Sequence, residues 1–521
     1  MQTSIRWACP TELTADERRV AQALHRIGKF YVFLREVRAE LFDEAFQAEL
    51  AAIYQPRGTQ PVPPALLAMV VLLQAYDQIG DAEAVVTAQL DPRWQMVLGC
   101  LGTRKAPFSQ GVLVKFRARM IAHDLDRTLL ARTIALAKRT GKFGWQRLQA
   151  ALDSSPLLGA GRIEDTWNLI GRALSAVVTC AAKAVDRPRT QVIAEAALTL
   201  VDQSSLKAAL DIDWDDPGAQ AAALERLLGE VERIEHWVAA QPATTQATPA
   251  LQAALTALRA VLTQDLEPDP TTGGTRILRG VAKGRQPSLG DPEMRHGRKS
   301  RSRPFTGYKR HVVKLLEPDL IVEAVARPAN EPEHTVFGTL TLEVARHGPL
   351  TDVWMDRGYL ASPEIPTWHA RGVTFHAKPW TARNGERFPK HAFAIRLADG
   401  VVECPAHQTA PIRAGRATVQ FAADTCRACA LREACTTAAE GRSISLHPQE
   451  AFLQQLRATT RTPEGRAVLR RRTAVEHSLA RLDQIQGKRA RYKGVRKNTL
   501  DVRRCATVAN LQRLARLHWA A

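Results

Sequence analysis

The sequence predicts an α/β protein: a mixed sheet interrupted by a helical insert and a cysteine-rich insert, and preceded by an all-helical region. Three observations predict it. Segments 147–152 and 353–355 each lead into an aspartate, Asp153 and Asp356, as buried strands delivering a carboxylate would. Leu224, Leu227, Val231, Ile234 and Val238 repeat at helical spacing, and Leu251, Leu255, Leu258 and Leu262 continue the habit. Cys404, Cys426, Cys429 and Cys435 lie close together, three of them within CRACALREAC.

The chain of 521 residues exceeds one ordinary core, and about two to four domains are expected. A hydrophobic fraction of 45% and a charged fraction of 24% are those of a globular protein. Lys and Arg number 72 against 53 Asp and Glu, a net charge of +19. That excess points to a polyanionic partner, nucleic acid ahead of an anionic membrane, or to a merely basic surface. The longest apolar run, 65–73, falls short of the roughly 20 residues that span a bilayer. MQTSIRWACPTE lacks the apolar centre of a signal peptide, and eight cysteines in so long a chain do not form a secreted disulfide framework. A cytoplasmic location without membrane attachment is expected.

Region 1–140 reads as helices. Pro61, Pro63 and Pro64 precede a helix over 65–76, Asp81 caps a second through Thr87, and Ser109 caps a third over 110–122. In the third, Val112, Leu113 and Phe116 form an apolar stripe, with Lys115, Arg117 and Arg119 opposite. A helix-turn-helix-like DNA reader fits this pattern, and so does an all-α packing domain with a solvated basic face. Asp153 follows, ahead of the small residues of SSPLLGAGR; Asp165 fits the cap of a helix starting near Thr166. The helical insert, 186–274, is an αα-hairpin by its spacing, and Asp211, Asp213, Asp215 and Asp216 read as a solvated turn.

The stretch DPEMRHGRKSRSRPFTGYKRH concentrates Arg295, Arg298, Lys299, Arg301, Arg303, Lys309 and Arg310 in a loop that would feed phosphates to the strand ends. Strands over 308–316 and 320–326 form a hairpin around Glu317, Pro318 and Asp319. A helix over 333–347, the strand ending at Asp356, a helix over 363–370 and a strand over 373–378 complete the order. This is the order of an RNase H-like core interrupted by the helical insert.

The four clustered cysteines suit a structural zinc site of the all-cysteine kind, or are ordinary packed thiols; Cys9, Cys100, Cys180 and Cys505 are isolated packing residues. Near the end, Val475, Leu479 and Leu482 mark a helix with Glu476 beside its buried face. Lys488, Arg489, Arg491, Lys493, Arg496 and Lys497 follow with Tyr492 interleaved, then a last helix over 499–517. Asp153, Asp356 and Glu476 brought together would hold two divalent cations, Mg2+ or Mn2+, for in-line displacement at phosphorus.

The chain resembles bacterial insertion-sequence transposases of the DDE type, in the branch with a cysteine-bearing insert. The resemblance is carried by PVPPALLAMVVLLQAY and FSQGVLVKFRARM, by LDSSPLLGAGR and DPEMRHGRKSRSRPFTGYKRHVV, by WMDRGYL and CRACALREACT, and by RTAVEHSLARLDQIQGKRARYKG. It implies a catalytic triad of Asp153, Asp356 and Glu476. Relatives carry a Tyr, an Arg and a Lys around the last acid. Arg472 matches the Arg, whereas Leu469 and Asp483 stand where the Tyr and Lys would be, with Lys488 or Arg489 as substitutes one turn on. The implied layout is a DNA-binding domain over 1–140, core parts at 141–185, 275–395 and 447–521, and inserts at 186–274 and 396–446. The implied partners are terminal inverted repeats, target DNA and a second copy of the chain, in a nucleoid-associated protein. A non-catalytic DNA-binding descendant and a metal-dependent nuclease that cuts without joining are the alternatives.

Overall fold

The computed structural model describes residues 5–24, 27–54, 60–201, 206–300 and 302–519; Arg301 of the basic stretch lies outside them. Its central sheet comprises β1 (Leu148–Leu158), β2 (Arg295–Ser300), β3 (Arg303–Leu315), β4 (Leu320–Pro328), β5 (Leu350–Trp354) and β6 (Thr374–His376). Strand β1 pairs antiparallel with β3 on one side and parallel with β5 on the other; β4 is antiparallel to β3, and β6 parallel to β5. Apart from β2, the sheet order is β4–β3–β1–β5–β6. That is the RNase H-like arrangement the order of elements predicts.

Two expectations about strands need correction. The basic stretch is not a loop: Arg295–Ser300 pairs antiparallel with the N-terminal half of β3. No apolar alternation announces β2, because an edge strand facing water is better charged than apolar. Strand β1 also runs on past Asp153 to Leu158, because β3 supplies ladder partners from Leu315 down to Gly307. Asp153 is therefore a mid-strand residue rather than a strand tip.

One hydrophobic core joins sheet and N-terminal helices. Leu67, Leu72, Trp94 and Phe116 belong to the same buried cluster as Val312, Val353, Leu479 and Val508. Region 1–140 is thus not a separately cored body. The C-terminal helix, Val495–Trp519, is buried over most of its length and packs on β4, on the helix Leu125–Arg139 and on the helix Thr473–Gln486. Its Arg503 reaches Glu323 of β4 at 2.8 Å and Asp124 and Asp126 at 2.6 and 3.1 Å, tying three parts of the chain together.

The two inserts each have their own core. Leu169, Leu174 and Val178 of the helix Thr166–Ala184 pack with Leu227, Ile234, Leu251 and Leu258. That helix belongs with the helical insert rather than with the first core segment, so the boundary falls near 165 instead of 185. Asp165 caps it by accepting from the Asn168 N–H at 2.9 Å, and Asp216 caps the helix Pro217–Ala239, as a solvated turn should. The cysteine-rich unit packs Phe393, Val402, Ala410, Val419, Phe421 and Ile444, so it begins slightly before 396. No single helix among the described residues is long and apolar enough to cross a membrane.

Candidate active site

Register brings the two aspartates together. The last parallel pair between β1 and β5 is Ala151 with Trp354. Two residues beyond each stand Asp153 and Asp356, on the same face as that pair because strand side chains alternate. Asp356 opens the short 3-10 turn Arg357–Ala361 and is exposed. The third acid arrives on the helix Thr473–Gln486, whose Val475, Leu479, Leu482 and Ile485 are buried and which packs against β1. Glu476 projects from the first turn of that helix, and its side chain is 49% exposed.

Arg472 joins two of the acids. Its Nη1 donates to Asp153 Oδ2 at 2.6 Å and its Nη2 to Glu476 Oε1 at 2.8 Å. Asp153 also accepts from the Ser154 N–H at 2.8 Å. Burial nevertheless dominates and pushes the Asp153 carboxyl up to about 6; Arg472 opposes the rise, while the charges of Asp356 and Glu476 add to it. Three carboxylates that act on one another, one of them partly desolvated, form a site short of positive charge.

Among the described residues, no group of three or more His, Cys, Asp or Glu side chains stands ready around a metal position. At the three acids, the Arg472 guanidinium bridges Asp153 and Glu476. The donor set still fits a hard divalent cation, since it consists of three carboxylates.

Beneath the acids lie two residues that the sequence reading passed over. Tyr359 is fully buried; desolvation and then the charges of Asp153, Glu333 and Asp356 drive its hydroxyl well above the tyrosine range. It shares a 3.0 Å hydrogen bond with Nδ1 of His311, itself fully buried and pushed down to about 3 by desolvation. Both are therefore neutral and hold the floor of the site. The signals were there in principle: Tyr359 follows the Asp-Arg-Gly turn, and His311 precedes the apolar Val312–Val313 in a strand. Gly358 has a local reason as well. A Cβ there would meet the Glu333 carboxylate at 2.5 Å, and Lys309 Nζ holds that carboxylate at 2.9 Å.

The expected DNA-contacting residues divide. Lys115, Arg298, Lys299, Lys488, Arg489, Arg491 and Lys493 are exposed. Arg491 donates to the carbonyls of Gln78 and Ile79, and Arg489 to that of Gly159. Arg117 and Arg310 are corrections. Arg117 is buried and donates to both Asp81 oxygens, which turns its side of the helix Gln110–Ala122 inward. Arg310 is fully buried and pairs with Asp483, so the acid at the lysine position neutralises a core arginine. Arg119 lies over the Tyr54 ring and Lys309 is held by Glu333, which leaves neither extended into solvent.

Cys404, Cys426, Cys429 and Cys435 all line one small cavity of about 30 Å³. Their thiols are free, and the backbone N–H groups of Arg442 and Leu431 point at Cys426 and Cys429 sulfurs, both at 3.4 Å. Burial and, more weakly, the other three cysteines raise the Cys435 thiol above its ordinary value.

Two family models match the chain. One described as a transposase DDE domain covers residues 404–515, which includes the cysteine-rich unit, Arg472 and Glu476. The other, described as a transposase domain, covers residues 22–119 of the N-terminal helices. No curated protein and no solved structure matches the chain.

Proposed function

The chain belongs to the DDE transposases of insertion sequences, and from that premise we propose that it binds the terminal inverted repeats of its element, cuts DNA there and joins the ends to target DNA. The observation that supports the reading is that Asp356 and Glu476 lie near enough to Asp153 to raise its carboxyl, with Arg472 linking Asp153 and Glu476. Asp356 and Glu476 are exposed, as acids must be if they act on a duplex rather than on a small enclosed substrate.

In this reading the three carboxylates hold Mg2+ or Mn2+, two ions per site. Bound there, such ions would lower the pKa of an attacking water or 3′-hydroxyl and neutralise the departing oxygen. The chain's own groups do the rest. Arg472 is the resting counter-ion of Asp153 and Glu476, and its fork suits a phosphate once those acids are otherwise neutralised. Neutral Tyr359 and His311 keep the floor beneath Asp153 uncharged. Exposed Lys299, Arg298, Lys488 and Lys493 position phosphates without reading sequence. The protein acts as a dimer on paired ends and works at the nucleoid in the cytoplasm.

A pre-cut inverted-repeat end offered with a plasmid and Mg2+ tests the reading. Joined products are expected. Cutting of intact ends without joining would instead indicate a nuclease, and binding without cutting a non-catalytic DNA-binding descendant.

The cysteine-rich unit is read as a zinc site on Cys404, Cys426, Cys429 and Cys435. Four thiols around so small a cavity suit a tetrahedral ion, once they draw together around it and ionise. Purified protein is then expected to carry about one zinc per chain, and the Cys426→Ser, Cys429→Ser double variant none. Equal metal content in both would remove the zinc from the account.

A further inference from the structure

A basic groove lies on the other flank of the Glu476 helix, apart from the three acids. A cavity of about 480 Å³ there is bordered by His477, Arg481, Arg513 and Arg516. A second cavity of about 400 Å³ continues from Arg516 to Lys29 and Trp519. The two meet at Arg516 and follow the last turns of the C-terminal helix.

The groove's charges are poorly balanced. Arg481 spends its donors on neutral partners, Gln512 at 3.0 Å and Gln484 at 2.7 Å. Burial and the nearby Arg516 charge hold Arg481 below the usual arginine range. Arg516 is exposed and has no hydrogen bond or ion pair among the described residues. Among the described residues, Asp319 is the one carboxylate bordering either cavity; Lys314 already engages it, and Arg513 stands 3.4 Å away. At the far end Glu36 is drawn to His518 at 3.5 Å. Trp519 is 44% exposed, with Lys29 Nζ 5.7 Å from its ring centroid.

Like charges set side by side in a concavity, without acids to offset them, are stabilised by an anion. Arg513 and Arg516 are three residues apart, hence neighbours on one helix face. Arg516 and Trp519 repeat that spacing, so a line of cations ends at an open aromatic face. We propose that this groove binds a DNA strand, with backbone phosphates at Arg481, Arg513 and Arg516 and a base or sugar on Trp519. It forms a DNA contact surface distinct from the catalytic acids. The inference rests on the transposase reading, which supplies the DNA.

The test is the salt dependence of DNA binding by the full chain, with fluorescently labelled duplex and single-stranded oligonucleotides. Arg516→Glu is the first variant, since an exposed, unpartnered side chain puts the fold at little risk. Its slope of log affinity against log salt should be shallower than wild type by about 1 or more, and that of the Arg481→Gln, Arg516→Gln pair by about 2. Trp519→Ala should weaken single-strand binding about tenfold, the worth of one stacked base. Unchanged slopes in both arginine variants, while the wild-type chain binds and cuts DNA, would overturn the groove alone. A wild-type chain that binds no DNA would take the transposase reading down with it.

Discussion

Arg472 donates to Asp153 and Glu476 at once, so the charge state of the candidate site depends on one guanidinium. Arg472→Gln removes the cation that most opposes the desolvation of Asp153, and its carboxyl should then protonate at a higher pH still. Cleavage should fall about 10- to 100-fold, with Arg472→Lys intermediate because an ammonium keeps the charge but loses the fork. A pH–rate profile of the variants checks both expectations. For the wild type the sign follows from the raised value. Folded Asp153 titrates near 6 against 3.8 ordinarily, so between those values the folded state holds the proton more tightly. The metal-free protein should therefore lose stability as pH rises from about 4 through about 6. Ca2+ should stabilise it well above pH 6, where the carboxylate is ionised, and hardly at all near pH 4. Melting curves with and without Ca2+ at the two extremes test this, and equal Ca2+ effects at both would contradict it. At this scale the two aspartates were legible because each follows an apolar segment, whereas Glu476 was marked only by its place beside a helix's apolar stripe and by the family resemblance. Tyr359 and His311 were less so, since the Asp-Arg-Gly turn and the Val312–Val313 strand mark their place in the chain but not the burial that makes them matter.

Strand β3 decides where Asp153 sits. Its Gly307 has φ of 148°, and a Cβ there would lie 2.3 Å from both the Gly159 nitrogen and the Leu157 carbonyl oxygen. No side chain can be accommodated where β3 crosses the end of β1. Gly307→Ala should cost about 1–3 kcal/mol of strain or more, and loosen the β1–β3 ladder beyond Asp153. Urea unfolding measures the first effect and hydrogen exchange along β1 the second; wild-type behaviour in both would show that the crossing is not tight. The sequence made β4, β5 and the helix Gln110–Ala122 legible because apolar period and caps agree there. It hid β2, a charged strand made by its partner, and the far half of β1, whose Ser154, Ser155 and Pro156 read only as small residues after the acid. The basic face expected on Gln110–Ala122 failed for a similar reason: Asp81 supplies Arg117 with a buried partner from another helix.

Across the whole molecule, the N-terminal helices and the sheet are held as one core in which buried charges act as ties. Arg503 faces Glu323 and Asp126, both 1% exposed, and Arg503→Met would leave Glu323 buried without its ionic partner while Asp126 keeps only Arg496. A loss of about 3–5 kcal/mol is expected from urea unfolding, with the N-terminal helices and the sheet destabilised together. Their separate unfolding would contradict a shared core. Such ties are illegible in sequence because the partners lie 180 and 377 positions from Arg503. For the same reason a helical segment that looked like a separate domain shares its core with the sheet that carries the aspartates. The central claim is that the three acids form a metal-dependent cutting site. The most direct test is Mg2+-dependent cleavage of DNA bearing the element's ends by the intact chain and by Asp356→Ala, with binding followed in parallel. The account predicts cutting by the first, none by the second, and equal DNA binding by both. Equal cutting by the two proteins would contradict it.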